Sequence, residues 1–204
     1  MLTLDSGGRR FGRRWVFAGL SLTVPEGQWM FVRGRNGTGK TTLLRCVSGT
    51  LTLSAGRASV AGHPVGSLAA RRLTGVCLAP EQGLYGRLSA RDNLTLVARL
   101  RMPWRQANRT VARLEEEFDL LDHATVPTDR CSAGTRARVS IARSLIGDPA
   151  LLVLDEPDRS LDEQAREQLW HALARRPDLT CVIASHHSAS RDRCQQQIDL
   201  GGRR

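Results

Sequence analysis

Apolar residues occur along the chain in short runs bounded by polar residues, a pattern typical of strands buried in a sheet. These runs predict strands at residues 20–24, 29–33, 74–78, 151–155 and 179–184. A glycine-bearing loop follows the second run, and residues 40–49 then predict a helix that ends at Gly49. Strands that alternate with helices in this way predict an α/β fold with a mainly parallel sheet.

Residues 88–129 show a different pattern, in which apolar residues recur at the three- and four-residue spacing of amphipathic helices. The residues on this spacing are Leu94, Val97, Ala98, Leu100, Val111, Leu114, Phe118 and Leu121. Pro103 divides the segment into two predicted helices. The pattern leaves two alternatives open: a helical subdomain inserted into the sheet core, or two more surface helices of the same domain.

Length and composition restrict the class of protein. A chain of 204 residues can bury one sizeable core, which predicts a single domain spanning residues 1–204. Its apolar runs are far shorter than the ~18 residues of a membrane helix, and its first residues lack the apolar core of a secretory signal, so we expect a cytosolic chain. Five scattered cysteines indicate reduced thiols. A net charge of +10 fits a solvated surface, an anionic lipid, a nucleic acid or a polyphosphate, and does not discriminate among them.

The strongest local motif lies between the second predicted strand and the helix that follows it. Residues 34–41 fit the phosphate-binding pattern G-x-x-x-x-G-K-[ST]. Glycines let backbone N–H groups surround phosphate oxygens, Lys40 brings positive charge to the β- and γ-phosphates, and Thr41 is the expected Mg²⁺ ligand. The predicted nucleotide-binding residues of this motif are Gly34, Arg35, Asn36, Gly37, Thr38, Gly39, Lys40, Thr41 and Thr42.

Two acidic residues follow the apolar run at 151–154. Asp155 is expected to bind Mg²⁺ through water, and Glu156 to polarise the water that attacks the γ-phosphate. Strands that end in acids are common. The pair therefore becomes informative because a phosphate-binding loop accompanies it.

Three further segments carry a family resemblance. They are residues 131–143, which begin Cys-Ser-Ala-Gly-Thr, residues 160–162, which read Ser-Leu-Asp, and residues 184–186, which read Ala-Ser-His. In this order they resemble the signature segment, D-loop and switch-histidine loop of ABC ATPases. The resemblance implies a P-loop NTPase core with a mainly parallel sheet, an antiparallel β subdomain at the N-terminus and an inserted helical subdomain at about residues 88–147.

The resemblance also implies a dimer. Two subunits would enclose two ATP molecules head to tail, with the phosphate-binding loop of one facing the signature of the other. Ser132 and the Gly134 backbone would then donate to the γ-phosphate held by the partner. Asp162 of the D-loop is assigned to the same nucleotide site.

Two more assignments follow from the family pattern. His186 is expected to contact the γ-phosphate and to keep the attacking water in line with Glu156, and together with Lys40 these two form the predicted catalytic set. Phe11 falls where the family places an aromatic ring that stacks on adenine, although an aromatic residue at this position also fits the core.

The chain departs from the family pattern at three places. Its signature carries Ala133 and Thr135 where a glycine and a glutamine are usual. The adjacent Asp158 and Arg159 form an unusual charged pair near the expected approach of the partner subunit. The family's Q-loop glutamine binds Mg²⁺ and senses the membrane subunit, and its candidates here are Pro80, Glu81 and Gln82. A neutral amide oxygen suits this role, which favours Gln82.

As a whole, the resemblance implies the ATP-binding and ATP-hydrolysing subunit of an ABC transporter, with ATP and Mg²⁺ as its ligands. The expected partners are a second ATP-binding subunit, as a homodimer or heterodimer, and a transmembrane permease that docks near residues 82–91 and holds the chain at the cytoplasmic face of the membrane. Compactness favours export over import. The alternative is a soluble ABC ATPase of the iron–sulfur assembly type, and no nucleic acid partner is expected.

Overall fold

The structure, a computed structural model, describes residues 1–201 and contains two compact units. Among the described residues, the sheet unit comprises residues 1–78, 149–156 and 178–201, and the helical unit comprises residues 79–148 and 157–177. The strands, all in the sheet unit, are β1 (Leu2–Phe11), β2 (Arg14–Val24), β3 (Trp29–Arg33), β4 (Ala55–Val60), β5 (His63–Pro64), β6 (Thr74–Cys77), β7 (Leu151–Asp155), β8 (Thr180–Ala184) and β9 (Gln196–Asp199). The helices are α1 (Lys40–Val47), α2 (Leu68–Leu73), α3 (Ala90–Arg101), α4 (Trp104–Glu117), α5 (Ala133–Ser144), α6 (Glu163–Ala174) and α7 (Ser188–Asp192).

The sheet unit is built from two sheets. Its parallel sheet has the strand order β6-β7-β8-β3-β9, and its antiparallel sheet has the order β2-β1-β4-β5. β7 and β8 are buried along their whole length, which explains why both read as continuous apolar runs. Side chains of both sheets and of α1 share one hydrophobic core, to which Leu4, Leu43 and Val153 belong.

The expected fold class is confirmed: the structure has a mainly parallel sheet, an N-terminal antiparallel β part and a separate helical unit. Predicted strands 29–33 and 151–155 match β3 and β7, and the other three differ at their ends. The predicted strand at 20–24 is only the last part of the eleven-residue β2. The predicted helix at 40–49 ends earlier, at Val47, and Gly49 follows with a φ of +75°.

The apolar runs gave no residue ranges for strands β1, β4, β5 and β9, of which β1, β4 and β5 belong to the expected antiparallel part. β1 contains the polar and glycine-rich stretch after Leu4, and its pairing with β2 shifts register at three places. Each shift breaks the alternation of apolar and polar residues from which a strand is recognised. Its pairing therefore depends on tertiary neighbours.

The helical unit contains α3, α4, α5 and α6. Ser89 caps α3, since its Oγ accepts the Asp92 N–H at 3.1 Å. α3 and α4 are joined by a bidentate ion pair, in which Arg91 donates to the buried carboxylate of Glu115 at 2.9 and 3.0 Å. Pro103 precedes the first residue of α4, as the division of the segment predicted. Among the described residues, no helix is both long enough and apolar enough to cross a membrane.

Candidate functional site

The phosphate-binding motif forms the connection between β3 and α1. Gly37 and Gly39 have φ angles of +80° and +102°, which side chains with a Cβ rarely adopt. A Cβ on Gly39 would also overlap Val16 of β2. Lys40 is buried, and its Nζ donates to the Gly34 carbonyl at 2.8 Å. The lysine therefore folds back over the loop, which holds its ammonium group beside the loop backbone.

Thr41 and Asp155 meet at the carboxyl end of β7. The Thr41 hydroxyl donates to Asp155 Oδ2 at 2.5 Å. Burial raises the pKa of Asp155 above its ordinary value, and the Thr41 hydrogen bond and the charges of Lys40 and His186 offset part of that rise. A hydroxyl and a carboxylate are hard oxygen donors, which Mg²⁺ uses one or two at a time together with phosphates and water. The Thr41–Asp155 donor pair therefore fits Mg²⁺ on a bound nucleotide.

Glu156 and His186 contact each other at two atoms. The His186 backbone N–H donates to Glu156 Oε2 at 3.2 Å, and His186 Nε2 lies 3.1 Å from Glu156 Oε1. Glu156 has a φ of +49°, and its own N–H donates to the Ala184 carbonyl at 2.7 Å. A non-glycine residue held in this region by its neighbours is a recurrent feature of functional sites. The structure thus brings the two predicted catalytic side chains within hydrogen-bonding distance.

Phe11 lies at the end of β1, where β1 turns into β2. Its side chain is 51% exposed, which contradicts the alternative that it belongs to the core. The guanidinium of Arg9 lies 4.6 Å from the centre of the ring, within the range of a cation–π contact. One face of the ring is therefore covered by Arg9, and the exposed area remains for a planar ligand. Sequence reasoning did not single out Arg9, because its register beside Phe11 is set by the pairing of β1.

The signature segment forms the start of α5 in the helical unit. Ser132 is the N-cap residue, since its Oγ accepts the Thr135 N–H at 3.0 Å and lies 2.9 Å from the Thr135 hydroxyl. A Cβ added to Gly134 would lie 2.9 Å from the Ser160 carbonyl oxygen, so the first turn of α5 packs directly on the predicted D-loop. Asp162 caps α6, with Oδ1 accepting the Ala165 N–H at 2.8 Å.

The three Q-loop candidates differ in their surroundings within the helical unit. Gln82 is exposed, and its N–H donates to the Ala79 carbonyl at 2.9 Å. Glu81 instead accepts a hydrogen bond from the Ser160 hydroxyl. Pro80 has no N–H to donate. The assignment of Gln82 to Mg²⁺ stays a prediction, and the contact of Glu81 with the predicted D-loop was not foreseen because the two residues lie 79 positions apart.

Comparison with known proteins gives the family. The family model described as ABC transporter matches residues 17–159, which is more than half of the chain. The chain belongs to the ABC transporter family. The matched range contains the phosphate-binding loop, the signature and the Asp155–Glu156 pair, whereas His186 lies beyond it.

Two curated relatives and one solved structure illustrate the likeness. The daunorubicin resistance ATP-binding protein DrrA3 of Streptomyces coeruleorubidus is 38% identical over 174 residues, which are 84% of this chain and 55% of that protein. The Nod factor export ATP-binding protein I of Burkholderia lata is 37% identical over 167 residues, 81% of this chain and 55% of that protein. The chain thus spans about half the length of these relatives. A dimeric ATP-binding cassette, solved in a post-hydrolysis state with ADP and Pi, covers 98% of this chain and 94% of its own with a TM-score of 0.89 at 20% identity, which shows the fold.

Within this ABC cassette, the predicted site residues fall into two groups. The phosphate-binding loop, Phe11, Asp155, Glu156 and His186 belong to the sheet unit, and Gln82, Ser132, Gly134 and Asp162 belong to the helical unit. The placement of Asp158 and Arg159 near a partner subunit stays a prediction, and the two side chains differ in exposure. Asp158 is fully buried, so Arg159 alone is presented to solvent.

Proposed function

We propose that this chain is the ATP-binding and ATP-hydrolysing subunit of an ABC exporter, which works as a dimer against a separate transmembrane subunit. The observation that carries the proposal is the contact of Glu156 with His186, in the same unit as the Thr41–Asp155 pair. A phosphate-binding loop alone is shared by many nucleotide-binding proteins. A carboxylate oriented by a histidine indicates that the bound nucleotide is also hydrolysed.

The residues of the sheet unit take the following roles. Lys40 binds the β- and γ-phosphates of ATP, and Thr41 and Asp155 hold Mg²⁺, which neutralises charge on the phosphates when it is bound. Glu156 accepts the proton of the attacking water. His186 keeps the Glu156 carboxylate oriented through the two contacts described above.

Adenine would stack on Phe11. The ring is exposed at the end of β1, and Arg9 packs against it and limits its rotation. Stacking of a base on an aromatic ring contributes about 1–3 kcal/mol, enough to matter for nucleotide affinity.

Dimer formation completes the site. The Ser132 cap and the first backbone N–H groups of α5 provide donors at a helix N-terminus, where an anion is stabilised. We assign these donors, with Gly134, to the γ-phosphate of a nucleotide bound to the second subunit, and Asp162 to the same interface. The partner is a second copy of this chain or a homologous chain. The dimeric assembly of the cassette with ADP and Pi supports this arrangement.

A transmembrane permease would dock near residues 82–91 and hold the chain at the membrane. Tyr85 in this segment projects a largely exposed ring, while its backbone is fixed by Asn93, which accepts the Tyr85 N–H at 2.9 Å and donates to its carbonyl at 3.1 Å. An exposed aromatic side chain on a fixed backbone suits a docking surface. Relatives named for drug resistance and for Nod factor export favour an exporter, and no observation favours the iron–sulfur assembly type.

Phosphate release and light scattering test the proposal together. With MgATP, Lys40→Ala should lose nucleotide binding, whereas Glu156→Gln should retain binding and lose hydrolysis by about 10²–10⁴-fold. Glu116→Gln, an exposed acid in the helical unit, is the matched control and should hydrolyse ATP at the unmodified rate.

The Glu156→Gln variant should form dimers only with ATP. Unchanged hydrolysis in Glu156→Gln would remove the catalytic assignment, and a monomer at every ATP concentration would remove the dimer of identical chains.

A further inference from the structure

An exposed apolar and basic surface lies where α3 meets α4, in the helical unit. We call it the α3–α4 junction, and it consists of Leu96, Arg99, Leu100, Trp104, Arg105 and Arg109. Leu96 and Leu100 are one helical turn apart on α3, and Trp104 is the first residue of α4. Leu100 is 80% exposed and Trp104 is 60% exposed. Leu100 and Trp104 are exposed, so the packing of the core does not explain why these two positions carry large apolar side chains.

The charge around these apolar residues has one sign. Residues 93–114 contain five arginines and no aspartate or glutamate. Arg99, Arg105 and Arg109 are exposed and form no salt bridge with any residue between 1 and 201. The two arginines with partners are Arg101, which donates to the Ile146 carbonyl, and Arg113, which pairs with Asp148. The junction therefore presents uncompensated positive charge next to exposed apolar side chains.

This combination matches one kind of surface better than others. A protein partner would have to present a matching patch of negative charge around apolar pockets of fixed shape. An anionic bilayer instead offers uniform negative charge above an apolar layer that adapts to any shape. Tryptophan and leucine enter the boundary between headgroups and acyl chains, while arginines remain at the phosphates on flexible apolar stems.

We propose that the α3–α4 junction binds directly to an anionic phospholipid surface, with Leu100 and Trp104 entering the interfacial layer and Arg99, Arg105 and Arg109 contacting headgroup phosphates. This contact is separate from attachment through a permease and does not depend on nucleotide binding. Each arginine close to an anionic surface strengthens binding several-fold at physiological salt.

Co-sedimentation of the purified full chain with vesicles tests the charge requirement. We expect binding to vesicles of equal parts phosphatidylglycerol and phosphatidylcholine, and little binding to phosphatidylcholine alone. Arg99→Gln, Arg105→Gln and Arg109→Gln together should weaken binding at least about tenfold. The matched control is Arg71→Gln, Arg72→Gln and Arg175→Gln, three exposed arginines elsewhere whose loss lowers the net charge by the same amount. Equal loss in both triple variants would mean attraction by overall charge and would overturn the proposal.

Tryptophan fluorescence tests insertion. Trp29 and Trp170 are buried, so in a Trp15→Phe background Trp104 is the exposed tryptophan. Its emission should shift to the blue with anionic vesicles, and the shift should disappear in Trp15→Phe/Trp104→Phe. Leu100→Ser should weaken vesicle binding, and Leu68→Ser, an exposed leucine on α2, should not.

Two results would contradict the proposal. One is an emission unchanged by anionic vesicles. The other is normal vesicle binding by Leu100→Ser and by the triple variant at Arg99, Arg105 and Arg109, if the same variants no longer co-purify with a protein partner. That result would assign the junction to a protein. Each variant should melt at the same temperature as the unmodified chain, because these side chains are exposed. An unchanged melting temperature excludes unfolding as the cause of weaker vesicle binding.

Discussion

The carboxylate of Glu156 is placed between two groups of a single residue, the backbone N–H of His186 at 3.2 Å and its ring Nε2 at 3.1 Å. Both oxygens of Glu156 thus have a partner on the loop after β8. The backbone contact is available to any residue other than proline at position 186, whereas the ring contact requires histidine. The two contributions can therefore be separated by substitution.

His186→Ala should retain the backbone contact and lose the ring contact. We expect nucleotide affinity within a few-fold of the unmodified chain and hydrolysis slower by about 10²-fold or more. His187→Ala is the matched control, because the contact that the structure shows for His187 is made by its backbone N–H, to Ser185 Oγ at 3.0 Å. Steady-state phosphate release measures both. Equal rates in the two variants would show that the His186 ring has no part in hydrolysis.

Asp155→Asn should raise the melting temperature of the nucleotide-free chain at neutral pH and abolish the effect of Mg²⁺ on ATP binding. Burial raises the pKa of Asp155 above 3.8, so the folded chain binds this proton more tightly than the unfolded chain does. The protonated form therefore stabilises the nucleotide-free fold fully below about 3.8, and this stabilisation is lost as the pH rises through the raised pKa. At neutral pH the asparagine variant should melt at a higher temperature than the unmodified chain, and the difference should shrink as the pH is lowered.

The same Asp155→Asn variant should bind ATP equally well with and without Mg²⁺, since the anionic donor is gone. The increase in ATP affinity that Mg²⁺ gives to the unmodified chain, the Mg²⁺ increment, should therefore be lost. Calorimetry with ATP, in the presence and absence of Mg²⁺, measures this increment. A Thr41→Val variant, which removes the hydroxyl that donates to Asp155 at 2.5 Å, should also lose the increment. A full Mg²⁺ increment in both variants would show that the metal is held elsewhere.

Phe11→Ala should weaken ATP binding by about tenfold, the loss expected for one base stacked on one aromatic ring. Phe11→Trp should retain affinity, since it keeps a stacking surface. Trp15→Ala is the matched control: Trp15 is also exposed, lies on the neighbouring strand and is covered by Arg10 at 5.7 Å. Titration with a fluorescent ATP analogue gives the affinities. A larger loss in Trp15→Ala than in Phe11→Ala would transfer the stacking role to Trp15.

Substitutions of Ser132 distinguish a helix cap from a phosphate ligand. Ser132→Ala should destabilise the chain by about 1 kcal/mol, because the Thr135 N–H loses its acceptor. Ser132→Asn should restore thermal stability, since asparagine caps helices as well as serine does. If the hydroxyl donates to the γ-phosphate across the dimer, Ser132→Asn should remain slow in ATP hydrolysis. Full recovery of both stability and hydrolysis would reduce Ser132 to a cap.

The sequence by itself determined the features whose parts are contiguous. The phosphate-binding loop was recognised because strand, glycines, lysine and helix follow one another within residues 29–47, and local backbone requirements set the residue types. The buried strands β7 and β8 were recognised because burial on both faces demands an unbroken apolar run. β1 escaped recognition because its register shifts remove that regularity.

Only the tertiary structure decided which separated residues meet. Thr41 contacts Asp155 across 114 positions and Glu156 contacts His186 across 30, because parallel pairing of β8 with both β7 and β3 aligns the carboxyl ends of the three strands. Phe11 is exposed because of its position at the end of β1, which no local pattern reveals. Glu81 contacts Ser160 across 79 positions, a meeting that only the packed loop decides, because side chains on successive residues of a turn point in different directions.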